Sequence, residues 1–122
     1  MNAVGNTFLV PNPSNKRDHF YIVIALTEKG DPIAVSLTTT EIERSSCFLI
    51  KGDHPWIIER SGVNFWDVKR PMSLAQLQQG VKAGMVRPQV PLGQSAVNAI
   101  ILAAQKSKHF PETLKRYLKV QD

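Results

Sequence analysis

The side chains best placed to do chemistry stand where apolar runs begin and end. His19 closes a polar, proline-broken loop, Pro11-Asn12-Pro13-Ser14-Asn15-Lys16-Arg17-Asp18-His19, and opens the apolar run Phe20-Tyr21-Ile22-Val23-Ile24-Ala25-Leu26. An imidazole, with a pKa of about 6.5, can give or take a proton at neutral pH. Lys16 and Arg17 beside it can bind phosphate or offset charge in a transition state. The plain alternative is a strand-edge histidine with no task. Thr38-Thr39-Thr40 closes the run Ile33-Ala34-Val35-Ser36-Leu37. Its hydroxyls can hold phosphate oxygens, or the threonines simply suit a β-strand. Alternate residues of a strand share a face, so Thr38 and Thr40 point one way and Thr39 the other.

A third group is the turn Gly52-Asp53-His54-Pro55-Trp56. Asp53 either orients His54 or caps the turn. Trp56 and Trp66 either stack nucleic-acid bases or pack a small core. The three histidines, His19, His54 and His109, have no zinc spacing. There is no Gly-rich phosphate loop and no nucleophile elbow. No metal and no cofactor are therefore expected. Cys47 sits in an apolar stretch, where a small buried residue and a catalytic thiol are both compatible with its position.

These groups must be held by an ordered scaffold. Runs 7–10, 20–27 and 33–40 read as strands by their β-branched and aromatic content. Cys47-Phe48-Leu49-Ile50 reads as a fourth strand, stopped by Lys51-Gly52-Asp53. Trp56-Ile57-Ile58 reads as a short fifth, and Val63–Val68, with its alternation, as a sixth. Short strands joined by tight turns predict a closed or nearly closed barrel. The period changes at Ser73. Ser73 and Gln76 have capping-box spacing before a helix at 73–81 whose inner face carries Leu74, Leu77 and Val81. Residues 87–93 read as a loop. Val97, Ile100, Ile101 and Ala104 predict a second helix over 94–106. Pro111 opens a third, to about 118, with Leu114, Tyr117 and Leu118 inside.

The chain has 122 residues, enough for one domain with one core. Its net charge of +5 suits a polyanionic partner such as RNA, DNA or an acidic protein, though a basic protein need have none. A single cysteine excludes an internal disulfide and fits a reducing cytoplasm. No apolar run approaches membrane-spanning length, and no signal pattern opens the sequence, so a soluble intracellular protein is expected.

The order of these features resembles the MazF/PemK/Kid ribonuclease toxins of type II toxin–antitoxin systems. The likeness runs from Gly5-Asn6 through the Pro-rich basic loop and long apolar strand to Leu37-Thr38-Thr39. It continues with Ser46–Ile50, Ser61-Gly62-Val63 leading into 64–69, the helix start at Leu74 and Leu77, and the helix 94–106. It covers about residues 5–106 and rests on order and spacing more than on identity. The resemblance implies a mainly β fold with C-terminal helices, an SH3-like small barrel of about 5–70 and a helical part of about 73–119. It also implies a homodimer and metal-independent cleavage of single-stranded RNA. An acidic cognate antitoxin would be the partner.

Family members use an arginine at the loop–strand junction and a threonine ending the third strand. Thr38 falls on that threonine. His19 falls on the arginine, with Phe20 where proline is usual, and Asn6 replaces an aspartate. On this reading His19 and Thr38 are catalytic, and Lys16, Arg17, Thr40, His54 and Trp56 bind RNA. The alternatives are a non-catalytic barrel that binds a protein, such as a topoisomerase, or a nucleic acid, and a structural domain in which His19 and Thr38 have no chemical role.

Overall fold

The computed structural model of the protein describes residues 4–11, 18–39, 42–66, 68 and 73–122. Six strands form one antiparallel sheet: β1 (Thr7–Pro11), β2 (Asp18–Leu26), β3 (Pro32–Thr38), β4 (Phe48–Leu49), β5 (Ser61–Asn64) and β6 (Arg87–Gln89). Their spatial order is β4-β5-β3-β2-β1-β6. Two α-helices, α1 (Leu74–Lys82) and α2 (Gln94–Lys106), and 3-10 helices at Ile42–Arg44 and Glu112–Tyr117 are the other elements among the described residues.

The long apolar run of β2 reflects its central place. A strand covered on both faces reads as continuous hydrophobicity. Phe20, Ile22 and Ile24 face Val97, Ile100, Ile101 and Ala104 of α2, with Phe110 and Leu118 in the same core. Tyr21 and Val23 face the other way, toward Phe8, Leu77 and Val86. Burying each large apolar side chain contributes about 1.5–3 kcal/mol, so the larger α2 side dominates. A bulge between Val23 and Ala25 shifts the β2–β3 register by one, and both Ile24 and Ala25 reach the α2-side core.

The sheet is open. Among the described residues the expected barrel closure is not present, because the edge strands β4 and β6 pair only with β5 and β1. One reason lies in Trp56-Ile57-Ile58, which is not a strand. Its neighbourhood satisfies its backbone locally. The Ile50 N–H donates to Asp53 Oδ2 at 2.8 Å and the Ile57 N–H to the His54 carbonyl at 2.9 Å. The strand expected to run to 68 ends at Asn64, whose Oδ1 accepts the Trp66 N–H at 3.1 Å and turns the chain.

Two other elements differ from expectation. Residues 87–89, expected as a loop, pair with β1. Proline is compatible with an edge strand, where its nitrogen faces away from the ladder, and Pro88 lies opposite Phe8. The third helix is 3-10, with Leu114 N–H to Pro111 O and Leu118 N–H to Lys115 O, each 3.0 Å. Leu114 and Tyr117 are three residues apart, the spacing that a 3-10 turn aligns. The helix α2 has the expected bounds, and α1 has the expected capping box. Gln76 N–H donates to Ser73 Oγ at 3.1 Å and Ser73 N–H to Gln76 Oε1 at 3.3 Å. Asp31, in the β2–β3 turn, accepts from the Leu74 N–H at 2.9 Å and so ties α1 to the sheet.

Candidate functional site

Strand alternation decides which side chains can act together. Tyr21 lies opposite Ser36, and Ser36 opposite Asn64. Directly opposed residues share a face, so Tyr21, Ser36 and Asn64 form one row across β2, β3 and β5. The next row outward holds His19, which pairs with Val10, and Thr38, which pairs with Gly62. The β2–β3 pairing ends at Tyr21–Ser36, and two residues further along each strand alternation puts His19 and Thr38 on that same face. Both are half-buried, on the α1 face of the sheet, at the end where β3 finishes.

The surroundings of this patch are specific. His19 stacks on Tyr21 with ring centroids 6.2 Å apart, and Tyr21 stacks on Phe8 at 5.5 Å. The aromatic column restricts the imidazole from one side. Ser36 is only 6% exposed, so its hydroxyl belongs to the floor of the patch. Gly62 leaves space that Ser45 fills. A Cβ at 62 would clash with Ser45 Oγ. That hydroxyl is buried and has no hydrogen-bond partner among the described residues. Asp18, next to His19 in sequence, forms an ion pair with Arg87 of β6.

His54 and Trp56 belong elsewhere. Thr7 and Phe20 point to the α2 face, and His54 packs against both. His54 is 4% exposed. Its Nδ1 accepts the Trp56 N–H at 3.0 Å, which places the proton on Nε2. Nε2 then donates to the Val90 carbonyl at 2.6 Å. The Thr7 hydroxyl donates to that same carbonyl at 2.7 Å. The ring meets Phe20 edge-on at 4.8 Å, and Trp56 stacks on the Phe20 ring at 5.0 Å. His54 is therefore a buried tie between the 51–56 turn and the segment after β6. It lies on the opposite sheet face from His19 and Thr38, and the sequence grouping of the three is corrected on that point. Asp53 caps the turn through Ile50 N–H and does not orient His54.

Lys16, Arg17 and Thr40 lie outside the described residues. Trp66 lies under Arg44, whose guanidinium carbon is 4.3 Å from the ring centroid. Cys47 is half-buried, and burial pushes its thiol pKa up, away from a reactive thiolate. Among the described residues no cluster of three or more His, Cys, Asp or Glu could hold a metal ion. Nor, among them, is any helix long and apolar enough to cross a membrane.

Sequence reasoning missed Tyr21, Ser36 and Asn64 as members of the patch. The parity of Ser36 with Thr38, two residues apart on one strand, was the available signal. Asn64 could not be found without the β3–β5 register. Compared with known protein families, curated proteins and solved structures, the chain has no match in any of the three.

Proposed function

We propose that the protein is a metal-independent endoribonuclease of the MazF/PemK/Kid type, acting on single-stranded RNA at the His19–Thr38 patch. The observation that supports it most is the strand alternation that puts these two side chains on one face of adjacent strands. The substrate 2′-OH attacks its adjacent phosphorus, and the bond to the 5′-oxygen breaks. His19 takes the 2′-OH proton. Thr38 donates a hydrogen bond to a non-bridging phosphate oxygen. Lys16 and Arg17, directly before Asp18 in sequence, offset the charge that develops. The leaving 5′-oxygen takes a proton from water. A 2′,3′-cyclic phosphate and a free 5′-OH result.

The reading carries its setting with it: an open sheet of SH3-like strand order, a cytoplasmic homodimer, and an acidic antitoxin that covers the patch. Purified protein is incubated with mixed-sequence single-stranded RNA in EDTA, and the fragment ends are examined. Cyclic phosphate ends are expected from the wild type, with losses of about 100-fold or more for His19→Ala. Thr38→Ala loses roughly tenfold, as one transition-state hydrogen bond. Intact RNA with folded protein would sink the enzyme reading and leave a binding barrel. Activity that survives His19→Ala would move the chemistry elsewhere.

A further inference from the structure

Away from the α1 face, the protein has a basic concavity at the C-terminal end of α2. Its volume is about 360 Å3, and Arg44, Ser46, Lys106, Lys108 and His109 are among its lining residues. Among the described residues that line it there is no carboxylate. All five of these side chains belong to exposed residues.

The site is held in place by the local fold. Ser107 is the C-cap of α2, its N–H donating to the Ala104 carbonyl, and its hydroxyl accepts the N–H groups of His109 and Phe110 at 3.0 and 3.2 Å. Phe110 then plugs into the core against Phe65, while Lys108 and His109 remain outside. The Lys115 ammonium donates to the Ser107 carbonyl at 2.8 Å. That contact matters, because a helix C-terminus carries about half a negative charge and would repel an anion. Lys115 is also paired with Glu112 at 2.8 Å, and the exposed Lys106 and Lys108 add positive charge at the same helix end. An indole completes the rim: Trp66 carries Arg44 on its face and meets the His109 ring at 6.3 Å. Cations interleaved with flat rings are the combination that grips a single-stranded nucleic acid, by phosphate contact and base stacking.

We infer that this concavity is a second RNA-binding site, engaging backbone phosphates of the strand cut at the His19–Thr38 patch. The inference rests on the ribonuclease reading for its ligand. Arg44 follows Thr38 by only six residues, so the two sites lie toward the same end of β3. Both Lys106 and Lys108 are positioning residues here, since they touch the substrate away from the reacting atoms.

The test uses the full chain and a 2′-O-methyl oligonucleotide, which binds but cannot be cut. Each phosphate contact adds about 0.7 to the salt slope of single-strand binding. The double variant Lys106→Gln/Lys108→Gln should lower that slope by about 1.4. Between 50 and 200 mM salt, wild-type affinity then falls about sevenfold more than that of the variant. On cleavable RNA the variant should raise KM and leave kcat within about twofold, because the contact is the same in ground and transition states. Polyglutamate of equal charge should displace the oligonucleotide at least tenfold less well than unlabelled RNA. Unchanged slope and affinity in the variant would overturn the inference, as would equal competition by polyglutamate, which assigns the site to an acidic protein segment. The two readings fail separately. Lysine-dependent binding without any cleavage sinks only the enzyme reading, and cleavage with lysine-independent binding sinks only this one.

Discussion

Replacing His54 tests whether that residue is a structural tie, and the size of the effect follows from its contacts. In His54→Ala the Trp56 N–H loses its acceptor, and the Val90 carbonyl keeps only Thr7. Each lost hydrogen bond costs about 1 kcal/mol, and the stranded Trp56 N–H adds a desolvation penalty of similar size if it stays dry. The edge-on contact with Phe20 contributes roughly 0.5–1.5 kcal/mol. The sum is about 3.5–4.5 kcal/mol, so the thermal midpoint should drop by roughly 15 °C. Urea unfolding followed by tryptophan fluorescence measures it directly. With a slope of about 1.5 kcal/mol/M the midpoint moves by about 2.5 M. His109→Ala, at an exposed site, serves as the control and should stay within about 0.5 kcal/mol. The specific activity of folded His54→Ala in the RNA assay should match the wild type. A loss of stability below about 1 kcal/mol, or lost activity in a protein of wild-type stability, would refute the structural assignment.

Further outcomes follow from other contacts. Gly62→Ala should destabilise by about 1–3 kcal/mol through overpacking against Ser45 Oγ. The double variant Gly62→Ala/Ser45→Gly should recover most of that loss in thermal melts. Ser73→Ala removes the helix cap and should cost about 1 kcal/mol, whereas Ser73→Asp, which keeps an acceptor, should cost little by the same measurement. Burial raises the Cys47 pKa in the folded state. Its contribution to stability is thus complete at neutral pH and is lost as pH rises past the ordinary thiol range. Alkylation of native protein at pH 8 should be slower than that of urea-unfolded protein, and equal rates would contradict the burial.

Where the sequence pattern was read correctly, one local rule acted without competition. Helix α2 has a stripe at i, i+3, i+4 and i+7 and no internal breaker, and its bounds follow from that stripe alone. The Ser73–Gln76 box is equally local. The misread elements depend on partners far along the chain. Pro88 looks like a loop residue until β1 is placed beside it. The apolar run 56–58 looks like a strand, yet Ile57 serves the core as a single residue while Ile58 is 77% exposed. His54 sat in a polar turn and read as a surface group. Only the Val90 carbonyl, 36 residues away, and the underside of Phe20 explain its burial. The alternation that puts His19 and Thr38 on one face is readable from strand period, but the neighbours Asn64 and Ser45 depend on which strand lies next to β3.

The two sheet edges also bear on self-association. An exposed strand edge is a template for another chain, and open sheets often extend themselves by strand addition. Here the β6 edge is three residues long and its central residue is Pro88. With no N–H to offer, that position cannot donate to an added strand. At the far edge β4 is two residues long, too short to seed a stable ladder, and the Phe48 ring is capped by Arg60 at 3.9 Å. Joining two copies into one continuous sheet is therefore disfavoured at both ends. The homodimer of the proposed reading would have to be built from helix or loop surfaces, and would not propagate into fibres.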